Sequence, residues 1–292
     1  MNVFTIKDLE NLSGIKAHTI RIWEQRYHFL KPCRTDTNIR YYSNEELKKV
    51  LNIALLNKYG FKISHINKMD AGEVRDKILS LTHIQAQQER IINELIEHMI
   101  DMRIQKIEDV LDHYIQMKGI ERAITQIIFP YMEKIGILWI TNHINPAQEH
   151  LVTNIVRQKL IVGIESASST LKVDKTVLLF LPEGEYHEIG LLVMYYILKS
   201  RGVNVIYLGA NVPLKDVEYV GNLLKPDYLY SHITSGGQNF NVDKFVMSAI
   251  KKFSTTPIII SGQLAQGFEK KLPPHVSLKK SYSEVMEFVM GL

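Results

Sequence analysis

The stretch Val177-Leu178-Leu179-Phe180-Leu181-Pro182-Glu183-Gly184-Glu185-Tyr186-His187-Glu188-Ile189-Gly190 decides the fold class. It opens on an unbroken apolar run, short and rich in aliphatic residues, the pattern of a strand covered on both faces. Similar runs follow at residues 203–208, 228–233 and 258–260. Between them, residues 191–199, 214–224 and 242–252 carry apolar side chains at helical spacing. Alternating strands and helices predict a doubly wound parallel sheet, whose ligands bind beyond the carboxyl ends of the strands. The chemistry is therefore sought in the loops after Leu181, Leu208, Ile233 and Ile260.

The first of these loops contains no Gly-x-Gly-x-x-Gly and no phosphate-binding lysine, which argues against a plain nucleotide site. It does contain His187, with Glu185 two residues before it and Gly190 three after. An imidazole can ligate a metal through one nitrogen while the other donates to a carboxylate, and a glycine lets a helix start close to a bulky planar group. Taken alone, the same residues also read as a solvated loop histidine beside an unrelated acid. Two further loops reach the same edge of the predicted sheet: Tyr230-Ser231-His232-Ile233-Thr234 and Ile260-Ser261-Gly262-Gln263.

The whole chain has 292 residues, 46% apolar and 23% charged, enough for about two domains with their own cores. Its single cysteine, Cys33, cannot close an intrachain disulfide, and nothing beside it suggests a zinc ribbon or a redox pair. No uncharged apolar stretch approaches the length of a membrane span, and the first residues lack a signal pattern, so the expectation is a cytoplasmic protein with no membrane partner. The net charge of +4 is unevenly placed: residues 1–69 hold 12 Lys/Arg against 6 Asp/Glu. A basic unit on a more acidic body points to a nucleic-acid-binding head.

That head reads as helices and a wing. Thr5 and Asp8 form a capping box, Leu9 and Leu12 give the first helix an inner face, and Ser13-Gly14 ends it. Ala17, Ile20, Trp23 and Tyr27 line the inside of a second helix. His18, Thr19, Arg21 and Gln25 are then candidates for the major groove, and Trp23 for the core. The run Arg34-Thr35-Asp36-Thr37-Asn38-Ile39-Arg40-Tyr41-Tyr42 suits a β-wing, with Arg34, Arg40 and Tyr41 candidates for the DNA backbone. Ser43 and Glu46 read as a second capping box. Residues 76–170 read as a four-helix bundle broken near Gly119, Pro130 and Asn145-Pro146. Within it, Trp139 is followed after nine residues by Glu149-His150. In isolation these are a core aromatic and a solvated helix face.

Glu-x-His-x-x-Gly, then Ser-x-Ile, then a glycine after an apolar strand resembles the cobalamin-binding domain of corrinoid enzymes and sensors. The resemblance implies a five-stranded, flavodoxin-like domain over residues 171–292. In it His187 ligates cobalt, Glu185 supports it, and Ser231 contacts the displaced lower base of the nucleotide tail. Gly190 and Gly262 would line that tail's channel, although Ser261 stands where the family usually has a further glycine. Trp-x9-Glu-His in a preceding helix bundle, behind a winged helix-turn-helix over residues 1–75, is similar to the MerR-family adenosylcobalamin photoreceptor repressors of the CarH and LitR type. Thr19-Ile20-Arg21-Ile22-Trp23-Glu24 and Arg40-Tyr41-Tyr42-Ser43 carry that likeness in the head. Trp139, Glu149 and His150 would then contact the upper adenosyl group. Light-sensing members have a histidine directly after this Trp; here that residue is Ile140, and His143 stands three further on.

These readings imply a non-enzymatic, cytoplasmic transcription regulator of the repressor type. It would bind adenosylcobalamin, pair as a dimer or tetramer and contact a double-stranded operator. The alternatives are a corrinoid methyl carrier, which the basic head opposes, a regulator using cobalamin as a metabolite signal without light, and a regulator whose sheet domain has lost its ligand.

Overall fold

The computed structural model describes residues 3–28, 30–140, 144–235, 240–268 and 271–292. They divide into two units, residues 1–155 and 156–292. In the first, α1 (Ile6–Ser13) opens at the expected capping box, with the Asp8 carboxylate accepting the Thr5 N–H at 2.6 Å, and ends at Gly14, whose φ of 74° few other residues adopt. After this turn, α2 (Ala17–Tyr27) buries Ile20 and Trp23. The wing is β1 (Cys33–Arg34) paired antiparallel with β2 (Arg40–Tyr41). Next, α3 (Asn44–Lys58) starts at Ser43, which accepts the Glu46 N–H, but the second capping box is not closed. The Glu46 carboxylate turns instead to the Lys31 N–H at 2.8 Å and to Lys49, stapling the entry of the wing to α3. With α4 (Ile63–Ile66) and α5 (Ala71–Leu79), a shared apolar cluster forms from Trp23, Leu55, Leu56, Ile66, Ile78 and Leu81.

The helical middle runs through α6 (Ile84–Ile100), α7 (Ile104–Lys118), α8 (Ile120–Ala123), a π-helical turn at Ile124–Ile128, α9 (Phe129–Ile140) and α10 (Pro146–Ser166). The expected breaks at Gly119 and Asn145-Pro146 are present. Asn145 caps α10, its side chain accepting the Ala147 N–H at 2.8 Å. Pro130, in contrast, does not break the chain's helical course. The π turn just before it widens the ring of hydrogen bonds where proline has no N–H to give and its ring would crowd the preceding turn.

In the second unit five parallel strands form one sheet. They are β3 (Val173–Pro182), β4 (Val203–Val212), β5 (Tyr228–His232), β6 (Ile258–Ser261) and β7 (Val276–Lys279), in the order β4-β3-β5-β6-β7. This is the flavodoxin-type order, with its switch point between β3 and β5. The intervening helices are α11 (Ile189–Ser200), α12 (Leu214–Leu224) and α13 (Val242–Lys252), followed by α14 (Gln263–Gln266) and α15 (Tyr282–Met290). Leu178, Phe180, Leu229, Ile258 and Ile260 form the core against Val217, Phe245 and Phe253. Strand β4 continues four residues past its apolar run, so its loop begins after Val212 rather than after Leu208.

Candidate functional site

The edge of the sheet at the ends of β3, β5 and β6 gathers the residues singled out in the sequence. Glu185 is completely buried, and its carboxylate is saturated. One oxygen accepts the N–H groups of Tyr186 and His187, both at 2.9 Å, and lies 2.5 Å from His187 Nδ1. The other accepts the N–H groups of Thr234 at 2.9 Å and Ser235 at 3.0 Å. A buried carboxylate is tolerated when it is this fully hydrogen-bonded, and here it ties the loop after β3 to the loop after β5. The same pairing fixes the tautomer of His187. With Nδ1–H donated to a carboxylate, the neutral ring carries its lone pair on Nε2. The side chain of His187 is about half exposed, in contrast to the Glu185 beneath it.

The neighbouring positions are tightly packed. A Cβ on Gly262, whose φ is 99°, would lie 2.3 Å from the Ile233 carbonyl oxygen, so only glycine fits there. A Cβ on Gly190 would collide with the His232 ring. Ser231 is buried, and its Oγ has no hydrogen-bond partner, an uncommon state for a buried hydroxyl. Sequence reasoning missed the network beside it. His232 Nδ1 lies 2.8 Å from Ser261 Oγ, and the Tyr230 hydroxyl 2.6 Å from the same atom. Burial pushes the His232 imidazole down to about 4, although the Glu185 charge pulls the other way, and burial pushes Tyr230 up to about 12. The available signal was two polar side chains at the carboxyl ends of buried strands. Glu188 was also missed: it accepts from Arg157 Nε at 2.7 Å and from the Tyr207 hydroxyl at 2.6 Å. Among the described residues no group of three or more His, Cys, Asp or Glu side chains gathers around a bare ion. A single imidazole suits a metal that arrives with its other ligands.

In the first unit, Trp139 is 44% exposed on the last turn of α9. Glu149 and His150 pair with each other on α10 at 3.0 Å, and Glu149 also accepts from Thr153 at 2.7 Å. Asn142 and His143 lie outside the described residues, as does the side chain of Ile140.

On the head, His18, Arg21 and Gln25 are exposed along one face of α2, and Thr19 is half-buried beside them. Arg34 is exposed on the wing and donates to the Asn38 side chain at 2.6 Å; Tyr41 is half-buried. Arg40 faces inward. Its Nε lies 3.4 Å from the buried carboxylate of Glu24, which also accepts from the Tyr42 hydroxyl. This residue ties the wing to α2, a role the sequence did not suggest. Cys33 is exposed and free.

Residues 4–73 match the model of the MerR HTH family regulatory protein, and residues 91–162 match that of the B12 binding domain. Over 98% of its length the chain is 25% identical to the HTH-type transcriptional repressor CarA of Myxococcus xanthus, covering 95% of that protein. Over 77% of each chain it is 28% identical to the HTH-type transcriptional repressor CarH of the same organism. Among solved structures, the monomethylamine corrinoid protein of Methanosarcina barkeri shares its fold with a TM-score of 0.51, at 12% identity, over 70% of this chain and 100% of that one. No helix among the described residues is long and apolar enough to cross a membrane. The chain thus joins a head that matches the MerR HTH family and a helical middle that matches the B12 binding domain to a five-stranded parallel sheet unit, and it is similar over most of its length to the CarA and CarH repressors.

Proposed function

We propose that this chain is a cytoplasmic transcription repressor that binds an operator as a homo-oligomer, dimer or tetramer, and takes adenosylcobalamin as its signal. The observation that carries the reading is the Glu185 clamp, which holds His187 at the sheet edge with Nδ1 on the carboxylate, so that Nε2 is the nitrogen that would meet a metal. The residues present fit a corrinoid: the Ser231 hydroxyl is buried without a partner, and the His187 ring is half exposed at the sheet edge on its buried Glu185 support. When bound, the corrinoid supplies a cobalt with a replaceable upper ligand.

The chain's own residues would do the rest. His187 would ligate the metal, Glu185 would hold that ring, and Ser231 and Gly262 would receive the nucleotide tail. Trp139, already exposed, would bury its ring against the upper group beside Glu149 and His150. The exposed row of His18, Arg21 and Gln25, with Thr19, would face the major groove, and Arg34 and Tyr41 would set the wing against the backbone while Arg40 braces the wing on Glu24. Because Ile140 has no lone pair to offer a metal, the response we propose is to the cofactor itself.

The test is the visible spectrum of the full chain titrated with adenosylcobalamin in the dark. The parent should show base-off cobalamin with a histidine lower ligand, and His187→Ala should lose that signature. Trp139→Ala should weaken adenosylcobalamin more than hydroxocobalamin, which lacks the large upper group. A parent spectrum identical to free cobalamin would refute the reading.

A further inference from the structure

Gly190 is the second residue of α11, and a Cβ placed on it would lie 2.3 Å from Cδ2, 2.4 Å from Nε2 and 2.7 Å from Cγ of His232. The space this glycine opens is therefore taken up by an imidazole of the same chain. The ring is held in place: Nδ1 is 2.8 Å from Ser261 Oγ, which is 2.6 Å from the Tyr230 hydroxyl, and the Tyr230 ring stacks on Phe288. Strand register enforces the arrangement, since His232 and Ser261 are directly paired across β5 and β6. With its basicity suppressed by burial, the ring is neutral at physiological pH, so moving it strands no buried charge.

We propose that His232 closes the slot meant for the nucleotide tail of a corrinoid, so that a tailed corrinoid binds only when this imidazole leaves Gly190 and gives up its bond to Ser261. The inference rests on the cofactor reading above and adds a specificity residue to it. A flat aromatic base and the His232 ring cannot both lie against the bare backbone of Gly190. A corrinoid without the nucleotide makes no such demand, because it needs only the lower-face nitrogen of His187. His232 thereby sets the preference of this chain between corrinoids with and without a tail.

The experiment titrates the full chain, in the dark, with adenosylcobalamin and with adenosylcobinamide, which has the same upper group and no nucleotide. Affinity and association rate are read from the visible spectrum. His232→Ala should bind adenosylcobalamin about fivefold more tightly than the parent does, the worth of one buried hydrogen bond, and should associate faster. Its affinity for adenosylcobinamide should be unchanged. Ser261→Ala, which keeps the ring but removes its anchor, should shift the same ratio in the same direction and guards against a folding defect in the first variant. Equal shifts for both corrinoids would overturn the proposal. So would a selective loss of adenosylcobalamin affinity, which would make His232 a contact of the tail. Binding of neither corrinoid by parent or variants would overturn the cofactor reading itself.

Discussion

Glu97 gives the first unit a pH dependence whose sign and size follow from its surroundings. Burial on α6 pushes its carboxyl up from 4.5 to about 7; Lys48 pulls it down, and Glu94, Asp101 and Glu45 push it further up. The help from Lys48 is diluted because that ammonium already serves Asp101 and Glu45, each at 2.8 Å. A carboxyl whose folded value is raised binds its proton more tightly in the folded state. Its stabilising effect is complete below about pH 4.5 and is lost as pH rises through 7. The rise corresponds to up to about 3 kcal/mol. Glu97→Gln keeps the shape and removes the charge, so at pH 8 the variant should be more stable than the parent by about 2 kcal/mol, allowing for the lost attraction to Lys48. Near pH 4.5 the two should converge. Both tryptophans, Trp23 and Trp139, belong to this unit, so urea denaturation followed by tryptophan fluorescence reports on it directly. A stability difference that stays constant from pH 5 to 8, or a variant less stable at pH 8, would refute the argument.

Two further outcomes are expected. Glu185→Gln replaces an oxygen that only accepts with an amide that must donate toward N–H groups, and should destabilise the sheet unit by about 3 kcal/mol in a thermal or urea melt followed by circular dichroism; a loss under about 1 kcal/mol would mean the clamp is not holding the loops. Arg21→Ala should lower operator affinity about tenfold and reduce the slope of log affinity against log salt by about 1 if the side chain neutralises a phosphate; an unchanged affinity and slope in a filter-binding titration would move the DNA surface off this face of α2.

What could be read from the sequence depended on how close in the chain the partners stand. Four strands were visible because a sheet covered on both faces demands unbroken apolar runs. The fifth, β7, reads Val-Ser-Leu-Lys and buries only Val276 fully, as expected of an edge strand with one side toward solvent. Glu185 and His187 were legible as a pair because two residues in one loop suffice to bring a carboxylate to an imidazole. The partners of His232 are not local. Ser261 lies 29 residues away, and it is the parallel register of β5 and β6 that brings the two together. Arg40 was legible as a charge in a wing, but its inward partner Glu24 was hidden in a helix whose other polar residues face out. Pro130 misled for a related reason: the rule that proline breaks a helix assumes α-helical bonding, and the preceding turn has already abandoned it.

Charged groups join the head to the helical middle beside the apolar cluster that reaches Ala86 on α6. Lys134 on α9 is half-buried and donates to the Leu12 carbonyl at 3.1 Å and to the Asn93 side chain at 3.3 Å. Leu12 lies in the last turn of α1, where carbonyls have no partner within the helix and a positive charge is favoured by the dipole. Burial holds this ammonium below its usual range, so its proton is less tightly held than that of an exposed lysine. Lys58 to Glu89 on α6 and Lys48 to Asp101, the residue that caps α6, add two more charged ties to α3. Water can satisfy every one of these groups when the surfaces part, whereas the apolar contacts around Trp23 and Leu56 have no such compensation. Lys134 sits on the same helix as Trp139, five residues before it, so its bond to Leu12 ties the Trp139 helix to the end of α1.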